Sequence, residues 1–481
     1  MQEVLAAAEY RYLSGGSKRL ELDYFYDRYS DFWRISVINE LREQYERSTM
    51  TVDRASFRQL WASSCELLLR YSLRHIDAEL SSRCVVVFDG CAYDLEQVRS
   101  LLATEADRSR RLKIYEAYCR TLRDTDLLRQ ERLRAIAELV SKLGYSSPKA
   151  FYADVRQLDL QVLEVLSKEL LATTQQAYES ALSARLRELS LPFTKGEQLR
   201  AHRADSFYLL AKSVFDSFYP AERLLEAWRE TMSLLGIKTY AQKQLHISRQ
   251  TGKVDTFAIG LSIPTDIRFV VHPQLGGLYG YIRMFHVSAK AEFMAHISSL
   301  LRPQFCYPGD LALDESYGLL FSSIVTDPVW LERLARRAPV KEVRREVSLV
   351  RLARIRYWAA LLGYELLLYS DNCRLDAESY SESVSAATGF GFDSVEHMLA
   401  LPFVSARMLY AAMFAAALKD YLMTRYGRSW WMNVRAGNLL KELWNTGYRY
   451  TSVELAEQLG LGRLSFEPLQ VELLQECRRA V

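Results

Sequence analysis

The sequence predicts a mainly helical, all-α protein, and three observations carry that reading. Only 11 prolines and 21 glycines occur in 481 residues, so few segments are forced out of helix. Apolar residues recur at three- and four-residue spacing over long stretches, the period of an amphipathic helix. Alternating strand-like runs are rare, and one short region near 254–272 holds the clearest of them. The composition, 49% hydrophobic and 25% charged, is ordinary for a globular chain. The length suffices for one to three domains.

In chain order, residues 1–60 crowd Tyr24, Phe25, Tyr26, Tyr29, Phe32 and Trp33 together. So many large apolar groups predict helices packed on a body, since a free tail does not carry them. Cys84 to Phe88 is a short apolar run before Gly90, readable as a strand or a helix end. Asp107 to Leu143 reads as one long amphipathic helix ending near Gly144, and Asp159 to Leu189 as a second. A helix from about Pro220 to Leu235 stops at Gly236. Thr256–Gly260 and Ile267–Val271 follow as two strands around Pro264-Thr265-Asp266.

Gly280 to Ile297 comes next and is predicted to be a buried helix. Ile282, Phe285, Ala289, Phe293, Ile297 and Leu300 repeat at helical spacing. His286 falls inside that stripe and Lys290 at its edge. Ala312–Val325 is a short helix carrying Asp314 and Glu315, with Asp310 placed to cap it. Trp330 to about Tyr369 is helical, Cys373–His397 a loop region, and Ser405–Tyr426 an alanine-rich buried helix. No linker or internal repeat divides the chain. The expected organisation is an N-terminal helical region, 1–105, offering an interaction surface, and a single body over 106–481.

Several functional classes are excluded on composition. Net charge is +3, from 62 basic and 59 acidic residues, so nucleic acid is not an expected partner. The arginines between Arg333 and Arg356 interleave with apolar residues and read as a solvated helix face. Seven scattered cysteines contain no C-x-x-C pair, which speaks for reduced thiols in the cytoplasm and against a thiolate metal site. No secretory signal or membrane-spanning run is read, so no membrane is expected. Neither a Walker loop nor a dinucleotide fingerprint is present.

His286 and Lys290 are four apart, the spacing of the two histidines in the H-E-x-x-H zinc helix. Here the pattern is His286-Val287-Ser288-Ala289-Lys290. The flanks add Pro220–Leu225, Pro264–Pro273 with Gly276-Gly277, Glu315-Ser316-Tyr317-Gly318, Asp327–Leu331, Gly427–Trp431 and Phe466–Leu469, in that order. On these stretches the chain from about Arg108 onward resembles the helical zinc metallopeptidases (gluzincins) of the thimet oligopeptidase and angiotensin-converting enzyme type, closest to a bacterial branch.

The resemblance implies a peptidase-like ellipsoid with a central cleft and one small antiparallel sheet near 254–272. It places His286 at the first zinc histidine, Lys290 at the second, Glu315 at the glutamate ligand and Val287 at the general base. Val404 and Met408 fall where family members carry cleft-facing tyrosines. Valine moves no proton, and an ammonium does not ligate zinc. The expectation is therefore no catalytic residue, no bound zinc or other cofactor, and an ion pair between Lys290 and Glu315. The function read from this is a catalytically inactive metallopeptidase homologue, a pseudoenzyme that binds a protein or an extended peptide. The alternatives are a peptidase or other hydrolase with a rebuilt metal site, for instance from Glu292, His296 and Glu315, and a structural subunit of a larger assembly.

Overall fold

Helix-forming runs dominate the molecule: the described residues carry twenty α-helices and three small sheets. The computed structural model describes residues 1–481 except 18–19, 197–198, 240–242, 336–337, 372, 374, 399–400 and 479–481. Among the described residues, no helix is long and apolar enough to cross a membrane. Chain contacts gather into two compact units. The first comprises Met1–Leu67, Ser213–Val343 and Tyr410–Leu469; the second comprises Leu68–Lys212, Arg344–Leu409 and Gln470–Val481. Residues 1–105 are thus shared between the two. The change at Leu67 falls inside the uninterrupted helix Thr51–Arg83.

The first unit contains the sheet expected near 254–272. Thr256–Ser262 and Asp266–Val271 pair antiparallel, with Gly260 opposite Ile267. Leu245–Arg249 joins Asp266–Val271 on its other side, and in parallel. The expectation of one antiparallel sheet is corrected on both counts. This sheet is mixed, and the second unit holds two more. Val85–Phe88 forms a hairpin with Cys91–Asp94. Phe193–Lys195, Leu199–His202 and Phe390–Gly391 make the third sheet. The missed strands are two to five residues long, too short for alternation to register.

The N-terminal helix Gln2–Leu13 lies against the first sheet, with Tyr10 6.1 Å from Phe257 and Ser262 donating to Glu3 at 2.8 Å. The aromatic cluster that follows is core: Phe25, Tyr26 and Trp33 are buried, and Phe25 stacks on Trp33 at 5.8 Å. Leu300, assigned to the apolar stripe, instead lies beyond the end of its helix and is 94% exposed.

In the second unit the single helix expected over 107–143 is two, Arg108–Asp124 and Asp126–Lys142. Thr125 sits buried at the break, its hydroxyl donating to the Leu122 carbonyl at 3.0 Å. A hydroxyl bonded to nearby backbone carbonyls favours such a bend. Val86, Val98, Leu102, Ile114, Tyr118 and Leu122 form an apolar core here. Leu160–Glu188 is one helix, capped by Asp159. The expected helix over 330–369 is also two, Pro328–Leu334 and Val340–Leu368. The loop expected over 373–397 contains a helix, Ala377–Thr388, capped by Asp376 and ended by Gly389 at φ 73°.

Candidate functional site

The site is built on two packed helices of the first unit, Leu278–His296 and Leu311–Ser322. Gly277 starts the first one at φ 76°, and a Cβ there would come within 2.7 Å of Asp216 Oδ1. That same oxygen accepts the Leu278 N–H at 2.9 Å, so Asp216 serves the helix start from outside the helix. Phe285 packs edge-on against Trp330 at 5.7 Å, and Phe293 lies 5.2 Å from Tyr317 of the second helix. Asp310 caps the second helix through Ala312 N–H at 2.8 Å, while its other oxygen accepts from the Ser452 N–H and hydroxyl, both at 2.7 Å. These anchors fix the rotation of both helices and therefore the side chains between them.

The first helix is buried on most of its surface. Its half-buried residues include His286, Val287, Lys290 and Met294, with Arg283 exposed beside them. His286 therefore does not lie within the fully buried stripe, as its spacing suggested, but on the side that retains access to solvent.

Three side chains converge there. Lys290 Nζ lies 2.5 Å from Glu315 Oε1, the pairing expected from the sequence. His286 Nε2 lies 2.9 Å from Glu315 Oε2, so each carboxylate oxygen has its own partner. Asp314 Oδ2 is 3.6 Å from the same ammonium. The side chains of His286, Lys290, Asp314 and Glu315 are 22%, 21%, 19% and 13% exposed. In such partial burial a charge-assisted hydrogen bond is stronger than at an open surface.

Two further residues complete the site, and neither was assigned a role from the sequence. A Cβ at Gly318 would come within 2.5 Å of the His286 ring, so the imidazole rests on a glycine one turn after Glu315. The available signal was a glycine three residues after the acid, inside a helix that gains nothing from glycine otherwise. Asp314 was noted only as a neighbour of Glu315; it makes the ammonium a bridge between two acids.

The remaining candidates lie elsewhere. Glu292, named with His296 and Glu315 for a rebuilt metal site, is fully buried. Its Oε2 is 3.5 Å from His296 Nδ1, and that ring packs 5.3 Å from Trp444. Val404 and Met408 are half-buried, and they belong to the second unit, on the first turns of Val404–Tyr426.

Zinc sites of the peptidase type need three protein donors converging on one point. Beside His286 and Glu315 stands the Lys290 ammonium, which offers protons and no lone pair. His286 and Glu315 are bonded to each other. Among the described residues, no group of three His, Cys, Asp or Glu side chains could hold a metal ion. The residues present do not fit a zinc ion. What the arrangement does chemically is neutralise: one cation and one imidazole satisfy a partly buried carboxylate, with a second acid on the cation's flank.

No protein-family model matches the sequence, and no curated protein matches it either. Solved structures do match over nearly the whole chain. Pz peptidase A, solved with an inhibitor, superposes with a TM-score of 0.64 at 13% identity, covering 99% of this chain and 90% of that one. Metallocarboxypeptidase 1 of Trypanosoma cruzi gives 0.61 at 14% identity, with 99% and 96% covered. A Pyrococcus furiosus carboxypeptidase gives 0.55 at 10%, with 100% and 95% covered. At these identities the likeness is one of fold, and the fold of this chain is helical and metallopeptidase-like.

Proposed function

We propose that this chain is a catalytically inactive relative of the gluzincin peptidases, working by binding a protein or an extended peptide rather than by cutting one. One observation carries the reading: the Lys290 ammonium sits 2.5 Å from Glu315, the residue that the sequence resemblance places as a metal-ligating glutamate. In the same alignment Val287 stands at the general base. Metal-assisted hydrolysis needs an open metal site, a bound water and a base to take its proton. At that position the described residues of this chain offer neither a base nor a third donor.

The ion pair accounts for the substitution physically. A glutamate left in a partly buried pocket after its metal is gone carries an uncompensated charge, which is strongly destabilising. A lysine one turn after His286 returns a cation to it. Residues 1–105 are the assigned contact region for a protein partner; within them Tyr24 and Phe32 are 65% and 51% exposed.

The test is metal content together with turnover on the purified full chain. Elemental analysis is expected to find less than a tenth of a zinc per chain after dialysis. Internally quenched peptides are expected to remain uncut at the rate of the Glu315→Gln variant. One zinc per chain, or hydrolysis that Glu315→Gln abolishes, ends the reading.

A further inference from the structure

The second unit contains a groove of about 510 Å³, within the size range of small-molecule sites. Its walls come from the helices Leu160–Glu188, Val340–Leu368 and Ala377–Thr388. Much of the lining is small or apolar, including Leu171, Ala172, Ala359 and Ala360. Small residues on neighbouring helices ordinarily let the backbones approach. Here they leave space. Gly363 lies in the interior of its helix, is exposed, and a Cβ built on it meets nothing within 4 Å. Glycine at such a position lowers helix stability relative to alanine, and no close contact in the structure calls for it.

The floor of the groove is charged. Arg356 is fully buried, with its guanidinium 4.8 Å from the Tyr178 ring. Nε donates to the Ala387 carbonyl at 2.7 Å, and Nη1 to the Leu171 carbonyl and Thr174 Oγ1 at 2.8 and 2.6 Å. Nη2 donates to Gln175 Oε1. Every acceptor is neutral, and among the described residues no carboxylate forms an ion pair with it. An acid, Glu179, is linked to it through a relay, Gln175 Nε2 donating to Glu179 Oε1 at 2.7 Å. Burial lowers the Arg356 pKa to about 10, as desolvation of an incompletely compensated cation does. The other two charged residues of the lining, Glu164 and Lys168, pair with each other at 2.5 Å. The groove therefore has one surplus positive charge beneath an apolar wall.

We propose that this groove binds a small monocarboxylate with an apolar body. Its carboxylate takes the place of Gln175 Oε1 on Arg356, and its body lies along Ala359, Ala360 and Gly363. A single carboxylate matches a single guanidinium edge. A phosphate dianion would bring more charge than the lining compensates, and a neutral molecule would leave the guanidinium as it is.

Octanoate is the probe, titrated calorimetrically into the full chain, with octanol and octylamine as length-matched controls. The expected result is one-site saturable binding of octanoate, with both controls at least tenfold weaker. Gln175→Glu combined with Glu179→Gln keeps the net charge and hands Arg356 an internal carboxylate. That pair is expected to weaken octanoate at least tenfold and leave octanol unchanged. Gly363→Leu fills the groove where there is room for a side chain; it is expected to abolish octanoate binding at a melting temperature no lower than the parent's. The proposal is overturned by the absence of saturable octanoate binding or by octanol binding equally well. It is also overturned by a charge-swapped chain, or a folded Gly363→Leu chain, that binds octanoate as the parent does.

Discussion

Lys290 is where the chemistry of this molecule turns. Its ammonium holds Glu315 at 2.5 Å and stands 3.6 Å from Asp314, so removing it takes one cation from beside both acids. Lys290→Met is expected to lower stability by about 1–3 kcal/mol, less than for a fully buried pair because these side chains retain some solvent. Urea denaturation measures it, and Lys290→Met/Glu315→Gln should recover much of the loss. Lys290→His tests the geometry differently. It would place an imidazole four residues from His286, beside Glu315, giving two histidines and a carboxylate the spacing of a zinc helix. The expected outcome is uptake of about one zinc per chain by Lys290→His and none by His286→Gln/Lys290→His. Gly318→Ala should displace the His286 ring, since its Cβ would come within 2.5 Å of it. A cost of about 1–3 kcal/mol is expected, with a shifted His286 ring signal by NMR. His286, Lys290 and Glu315 were legible in the sequence because spacing along a helix and order along the chain are one-dimensional facts. The role of Gly318 was not, because it depends on which ring arrives from another helix.

At the scale of elements, helices with a clear apolar repeat and a cap or stop were legible, Leu160–Glu188 and the short Leu311–Ser322 alike, and those without were not. Leu160–Glu188 announces itself by repeat and cap, whereas Ala377–Thr388, rich in serine and only 12 residues long, offers too little apolar pattern to separate it from loop. Joints between helices carry their own chemistry. Glu365, in the helix Val340–Leu368, is buried and accepts from the Ser405 hydroxyl at the start of Val404–Tyr426. Burial pushes its carboxyl up to about 8, against the opposing pull of hydrogen bonds from Ser405 and from the Phe403 backbone. The unfolded chain titrates near the ordinary value of 4.5, so the folded state binds the extra proton between these two values. The stabilisation is thus complete below about pH 4.5 and is lost as pH rises through about 8. Glu365→Gln, neutral throughout, is expected to flatten that fall. Comparing urea midpoints of parent and variant at pH 5 and pH 9 reads it; the parent should lose roughly 2–4 kcal/mol more than the variant.

For the molecule as a whole, the division into two units was hidden because helices such as Thr51–Arg83 run through it without glycine or proline. The fold class survived that omission, since it rests on helix content and not on how helices are grouped. The proposal that the Lys290 ammonium replaces a metal beside Glu315 has a consequence for the stability of the whole first unit. A ligand that binds only the folded state, present at a thousandfold its Kd, stabilises by about 4 kcal/mol. For a unit of a few hundred residues, each such kcal/mol moves the melting temperature by about 2–4 °C. A zinc-holding relative should therefore melt roughly 8–16 °C lower once chelator has stripped it. This chain is expected to melt within about 1 °C of the same temperature in chelator, in buffer and in zinc at tens of micromolar. The Lys290→His variant should show the zinc-dependent rise that the parent lacks, which separates an insensitive assay from an insensitive site. A parent that melts several degrees lower in chelator would place a metal in the structure and return Glu315 to the role of ligand.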